Sequence, residues 1–155
     1  MANLSIGDTA PMILLPRDGG ETVDLAAMAG KTVVVYFYPK DDTPGCTKEA
    51  IGFTEATAAF TAAGAVVWGV SKDTVAKHDK FRAKYELGIP LLSDEAGTVC
   101  EDYGVWIEKN MYGKKYMGIE RATYVIDGTG KITHIWRKVK VPGHVDAVLE
   151  AVQSL

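Results

Sequence analysis

Cysteine and histidine are scarce in this sequence: among 155 residues there are two cysteines, Cys46 and Cys100, and three histidines. Two cysteines cannot make the disulfide framework on which small secreted domains rely. His78, His134 and His144 stand at no metal-ligand spacing with either cysteine, so they read as surface or packing residues and no metal is expected. Positive charge is also short. The 17 Lys and Arg against 20 Asp and Glu leave a net charge of −3, whereas a nucleic-acid binder carries a basic patch or stripe. The pairs Lys114-Lys115 and Arg137-Lys138 are short enough to be solvated surface. No apolar run approaches the ~20 residues that cross a membrane, and Met1 to Pro11 lacks the charged region and apolar core of a secretory leader. Linkers, repeats and low-complexity tracts are missing as well. What remains is a cytoplasmic protein of one domain, residues 1–155, in which a cysteine is either reactive or simply buried.

Apolar residues make up 47% and charged residues 24% of the chain, the balance of a globular domain able to bury a core. Lys31 to Tyr38, with its run of valines and aromatics between Gly30 and Pro39, predicts a strand buried on both faces. Thr47 to Ala63 predicts a helix closed by Gly64, with Phe53, Ala56, Phe60 and Ala63 on one stripe. Ala65 to Val70 reads as a second buried strand. A helix capped by Asp73 or Thr74 follows to about Leu87. Pro90 to Leu92 suggests a short strand and Asp94 to Tyr103 a short helix. Asp127-Gly128-Thr129-Gly130 sets a hairpin between Ala122–Ile126 and 131–137, and Val145 to Leu155 is an amphipathic closing helix. Gly104 to Glu120, rich in Gly and Lys, reads as a partly ordered loop. This order predicts an α/β, thioredoxin-like fold: a mixed central sheet flanked by helices.

The chemistry concentrates in Tyr36-Phe37-Tyr38-Pro39-Lys40-Asp41-Asp42-Thr43-Pro44-Gly45-Cys46-Thr47-Lys48-Glu49. Cys46 follows a strand and a Pro-Gly pair and falls in the first turn of a helix. Unsatisfied backbone N–H groups and the helix dipole favour an anion there. A thiol so placed ionises more readily than a free one, and the thiolate is the nucleophile. Position alone also fits a buried structural cysteine. Thr43, three residues earlier, can aim its hydroxyl at the sulfur and at an incoming oxygen. Pro39 ends the strand without an N–H and can wall the pocket from water. A dithiol oxidoreductase would carry a second cysteine where Thr43 stands, so that chemistry is disfavoured.

Pro39, Thr43 and Cys46 stand in a Pro-x-x-x-Thr-x-x-Cys pattern that resembles the peroxiredoxins. The longer YFYPKDDTPGCTKEA run is similar to the peroxiredoxin Q, or bacterioferritin comigratory protein, subgroup. Gly7-Asp8-x-Ala10-Pro11, Leu92-Ser93-Asp94, Gly104-Val105-Trp106 and Gly118-Ile119-Glu120-Arg121 resemble later landmarks of that family, so the likeness covers nearly the whole chain. It implies a thiol peroxidase in which Cys46 attacks a hydroperoxide to give a sulfenic acid. It also implies that the Arg121 guanidinium meets the sulfur and the peroxide, with Glu49 as a candidate to orient Arg121. No metal or organic cofactor is implied. The implied partners are a hydroperoxide and a thiol reductant, whether thioredoxin, glutaredoxin or a small thiol.

The match departs from the family at the resolving cysteine. The position five residues after Cys46 holds Ile51, and the alternative in the following helix holds Arg82. Cys100 is the only other thiol; it reads first as a packed structural cysteine and second as a resolving one, which would need its Cα within about 7 Å of Cys46 or substantial unfolding. The expected protein is therefore a monomeric or weakly associating, one-cysteine peroxidase. A rival of another class is a redox-sensing or holdase-like binding protein switched by Cys46 oxidation.

Overall fold

The computed structural model describes residues 3–155; Met1 and Ala2, which open the stretch read as lacking a secretory leader, lie outside the described residues. A short antiparallel hairpin, β1 (Leu14–Pro16) with β2 (Thr22–Asp24), leads into one 3-10 turn over Leu25–Met28. The centre of the fold is β3 (Thr32–Phe37), one residue shorter at each end than the sequence run. It lies parallel to β4 (Ala65–Ser71), which lies parallel to β5 (Leu91–Ser93). On its other side β3 pairs antiparallel with β8 (Ala122–Ile126), which pairs with β9 (Ile132–Trp136). The sheet order is β5-β4-β3-β8-β9, mixed as expected for a thioredoxin-like fold.

Alternation along the strands sorts the core into two layers. Val33, Val35 and Phe37 join Trp68, Val70, Tyr124 and Ile126 on one face; Val34 and Tyr36 join Val67 and Val125 on the other. Every residue from Val33 to Phe37 is buried, and a fully buried valine contributes about 1.5–3 kcal/mol. The second face is covered by α1 (Pro44–Glu55), α2 (Thr57–Ala62), α3 (Val75–Tyr85) and, at the chain's end, α5 (His144–Gln153). The first face is covered by the N-terminal segment and by α4 (Val99–Asp102).

Three expectations change. The single helix over Thr47–Ala63 is two helices that start earlier, at Pro44: proline at the first helical position fixes φ and loses no needed donor. The break falls at Ala56, where the Thr57 hydroxyl donates to the Phe53 carbonyl at 3.0 Å and competes with the helix ladder. The helix expected over Asp94–Tyr103 shrinks to α4, because the Asp94 carboxylate takes the N–H groups of Val99 and Cys100 at 3.1 and 2.8 Å and delays the start. Gly104 to Glu120 is not a partly ordered loop. It forms a hairpin of β6 (Trp106–Met111) and β7 (Lys114–Ile119), turned at Tyr112 and Gly113 with φ of 52° and 79°. The Asn110 side-chain oxygen accepts from Gly113 N–H at 3.1 Å and closes the turn.

Candidate active site

Antiparallel pairing of β3 with β8 sets Phe37 opposite Ala122. The chain's exit from β3 and its entry into β8 therefore lie side by side, at the end of the sheet where ligands of open α/β folds bind. The β3 exit leads through the Pro39–Thr43 turn to α1, and the β8 entry is Arg121. This juxtaposition brings together residues 75 apart in sequence: Arg121 Nη2 donates to Cys46 Sγ at 3.3 Å.

Cys46 is the third residue of α1 and 1% exposed. Thr43 stands at the N-cap position in extended conformation, but its side chain caps no helix N–H. Its hydroxyl donates instead to the Lys40 carbonyl at 2.8 Å, not to the sulfur as the sequence suggested. A hydroxyl whose proton is so committed faces the site with lone pairs and can only accept from an incoming O–H. Thr47 N–H is bonded to the Thr43 carbonyl at 2.8 Å, while the N–H groups of Gly45 and Cys46 have no partner among the described residues. They point at the sulfur end of the helix. Pro39 is half-buried at the strand exit, beside the buried Tyr38.

Arg121 is fixed from a second side. Its Nη1 donates to Glu49 Oε1 at 2.6 Å, so one guanidinium spans the carboxylate and the thiol. Glu49 lies one turn past Cys46 on the same face of α1 and is fully buried. Burial pushes its carboxyl up to about 7, with Arg121 pulling the other way. Burial opposes the charge of Arg121 too, yet Glu49 and the Cys46 sulfur outweigh it and hold the guanidinium above its ordinary range. Gly45 leaves room for this group: a Cβ there would lie 3.2 Å from Arg121 Nη2.

Cys100 does not join the site. It is 0% exposed in the core layer on the first face of the sheet, whereas Cys46 belongs to the second. Both thiols are free, and the whole sheet separates them. Burial, with the Asp94 charge beside it, pushes the Cys100 thiol far up, so it stays protonated. The residues at the two other resolving positions are structural. Ile51 packs half-buried against the second core layer. Arg82 donates to the Leu87 carbonyl at 3.0 Å and pairs with buried Asp18, tying the end of α3 to the first hairpin.

Two histidines take packing roles. His144 stacks edge-on against Phe53 and Trp136 and meets the Thr123 hydroxyl at 2.7 Å. Burial and the Arg121 charge lower it to about 4 and keep it neutral. His134 stacks on Trp136. His78 is buried as well, being 0% exposed and bonded through both ring nitrogens. Sequence reasoning also passed over Lys109 of β6. Its stem covers Gly118, where a Cβ would lie 3.1 Å from Lys109 Cδ. Burial and Arg121 hold its ammonium below the usual lysine range, against the opposite pull of the Cys46 sulfur and Glu120. Only the hairpin, unseen in the sequence, brings it there. No group of three or more metal-ligating side chains occurs among the described residues, and none of the described helices is long and apolar enough to cross a membrane.

Residues 6–135 match the AhpC/TSA family. The chain is 53% identical over 147 residues to a putative peroxiredoxin bcp of Coxiella burnetii, covering 95% of this chain and 97% of that one. It is 45% identical over 152 residues to peroxiredoxin Bcp of Bacillus subtilis, covering 98% and 97%. Among solved structures it is similar to the bacterioferritin comigratory protein of Xanthomonas campestris, described for its alkyl peroxide reduction activity, with a TM-score of 0.89, 44% identity and coverage of 99% and 98%. A cysteine-to-serine variant of Xylella fastidiosa PrxQ gives a TM-score of 0.94 at 38% identity, with the same coverage.

Proposed function

The chain belongs to the AhpC/TSA family and is a thiol-dependent peroxidase of the Bcp peroxiredoxin kind; from that premise we propose that Cys46 is its nucleophile and that Thr43, Arg121 and Pro39 complete the catalytic pocket, with Glu49 orienting Arg121. The observation that carries the assignment is the single guanidinium bonded at once to Cys46 Sγ and Glu49 Oε1. A cation locked in that place faces the charge that the reaction moves and needs no reorganisation when peroxide arrives.

The Cys46 thiolate attacks one peroxide oxygen in line with the O–O bond. The S–O bond forms as the O–O bond breaks, the sulfur is oxidised by two electrons, and the leaving oxygen takes up a proton as water or alcohol. Thr43 accepts from the O–H of the attacked oxygen, which fixes the approach. Arg121 and the free N–H groups of the first turn stabilise the negative charge as it moves outward. Hydrogen peroxide and organic hydroperoxides both present the two oxygens this geometry requires. A first thiol then attacks the sulfenic sulfur, releasing water and leaving a mixed disulfide, and a second thiol frees Cys46. Thioredoxin, glutaredoxin or a small thiol can fill that role. A monomer in the cytoplasm completes the reading, and the sensor or holdase alternative is not favoured by the kinship to named peroxiredoxins.

Two measurements test the parts. Thr43→Val should slow sulfenate formation by about tenfold, the worth of one hydrogen bond of about 1.4 kcal/mol, and leave alkylation by iodoacetamide nearly as fast. Equal slowing of both reactions would remove Thr43 from peroxide positioning. Resolution is tested on the wild type. With Ile51 and Arg82 at the usual resolving positions and Cys100 across the sheet, one equivalent of peroxide should leave a sulfenate that a sulfenate reagent captures, and excess peroxide should drive it to sulfinic acid. Rapid, quantitative Cys46–Cys100 linkage on non-reducing electrophoresis would overturn the one-cysteine cycle.

A further inference from the structure

The turn that delivers Thr43 to the site is held from behind by α3. His78, buried on that helix, places Nδ1 2.6 Å from Asp41 Oδ2 and Nε2 2.9 Å from the Leu92 carbonyl. Asp41 uses its other oxygen to accept from the Tyr38 hydroxyl at 2.6 Å, and its own N–H donates to Asp73 Oδ2 at 2.8 Å. Asp73 is held in turn by the Ser71 hydroxyl at 2.7 Å, and its carbonyl by the Ser93 hydroxyl at 2.6 Å. The next residue, Asp42, has a left-handed φ of 57° and is gripped by Lys84 Nζ at 2.8 Å and the Tyr85 hydroxyl at 2.6 Å. Aspartate reaches that conformation more readily than most residues, and the two contacts to α3 hold it there.

We propose that His78 is a positioning residue of the peroxidase: through Asp41 it fixes the turn whose Lys40 carbonyl orients the Thr43 hydroxyl toward peroxide. The inference rests on the peroxidase site assigned to Cys46 and extends it to a residue that touches no substrate.

Opposite an ionised Asp41, the chemistry of the contacts requires a charged ring. A backbone carbonyl can only accept, so Nε2 facing Leu92 carries a hydrogen. A neutral ring would then turn the Nδ1 lone pair toward the Asp41 carboxylate at 2.6 Å, an arrangement without a proton to bind it. Imidazolium satisfies both contacts at once and makes the Asp41 bond charge-assisted. The groups that face the ring are Asp41 from the turn, Asp73 just past the end of β4, Tyr38 from the β3 exit and the β5 carbonyl. Burial favours the neutral ring, but Asp41 and the Leu92 carbonyl outweigh it and raise His78 above its ordinary range. A group raised in this way contributes its full stabilisation below its unfolded pKa and loses it as pH rises through the folded one. The turn is therefore firmest below the ordinary histidine range and slackens as pH rises above it.

Rates of sulfenate formation with hydrogen peroxide and of alkylation with iodoacetamide separate this role from packing, because only the first needs Thr43 in place. His78→Gln and Asp41→Asn should each lower the peroxide rate by about ten- to a hundredfold, the scale of a small misplacement, and change alkylation by much less. The double variant should be no slower than either single, since both break one link. A wild-type peroxide rate in either folded single variant, equal losses in the two reactions, or losses that multiply in the double variant would overturn the proposal. A second arm uses the pH profile: in wild type the peroxide rate should fall as pH rises through the His78 titration while alkylation does not, and in Asp41→Asn, where the link is already broken, this fall should be absent. A wild-type fall shared by both reactions, or one that persists in Asp41→Asn, would overturn it independently of whether His78→Gln folds. A wild type that forms no Cys46 sulfenate would overturn the peroxidase site itself, and the positioning role with it.

Discussion

Cys46→Ser should abolish peroxide turnover, whereas Cys100→Ser should keep most of it. A serine hydroxyl in the first turn of α1 remains protonated at neutral pH even beside Arg121, and oxygen cannot take up the peroxide oxygen as sulfur does. Cys100 stands in the other core layer, among residues such as Tyr103 and Val99, with its thiol held protonated. Serine there is smaller than cysteine and buries a hydroxyl, a more strongly polar group, with the Asp94 carboxylate as its one neighbouring acceptor. The cost is up to about 1–3 kcal/mol, so Cys100→Ser should melt earlier. Cys100→Ala avoids that hydroxyl and separates stability from activity. Turnover is measured as peroxide consumed with excess dithiol. Equal loss in the Cys46 and Cys100 variants, both shown to be folded, would make Cys100 an obligatory part of the cycle.

Arg121→Ala should cost about a hundred- to a thousandfold in the peroxide rate, the range found for removing one preorganised charged or polar donor. Two losses combine. The sulfur loses its cation, which slows alkylation near neutral pH as well, and the leaving oxygen loses a donor. The substitution also strands Glu49, a fully buried carboxyl whose hydrogen bond within the structure is the one to Arg121. That group should then bind a proton more readily. Arg121→Lys is the informative partner. An ammonium restores charge but not the fork that reaches Glu49 and Cys46 together, so alkylation should recover further than peroxide reduction. Unchanged peroxide kinetics in Arg121→Ala would remove Arg121 from the site.

How far the sequence displayed all this depends on the range of each interaction. The placement of Cys46 was legible because its causes are local: a valine-rich strand, a proline that ends it, and Pro44-Gly45 opening the helix. Arg121 and Glu49 are 72 residues apart; no periodicity connects them, and only the likeness to peroxiredoxins pointed to their meeting. Thr43 stands at the N-cap of the helix that carries Cys46, as its spacing suggested, but the direction of its hydroxyl depends on where the turn brings the Lys40 carbonyl, which no pattern encodes. His78 was obscured by its neighbours, since Lys77, Asp79 and Lys80 give α3 a polar look while Asp41 waits 37 residues away. The β6–β7 hairpin escaped for a different reason. It buries little, so its strands show weak alternation, and Tyr112-Gly113 reverses the chain without the Asn-Gly signal of such turns.

That hairpin has a bearing on how the enzyme's chemistry must be followed. Tyr112 at its tip is 99% exposed, and Met111 and Met117 are 55% and 49% exposed. A thioether open to solvent takes one oxygen from peroxide to become a sulfoxide, the same increment of mass that Cys46 gains as sulfenic acid. Excess oxidant will write both marks on one chain. They part company on reduction: a thiol erases the cysteine mark and leaves the methionine marks untouched. The hairpin is thus a running tally of peroxide that the site failed to consume, and its sulfoxides should accumulate faster in Cys46→Ser than in the wild type supplied with thiol.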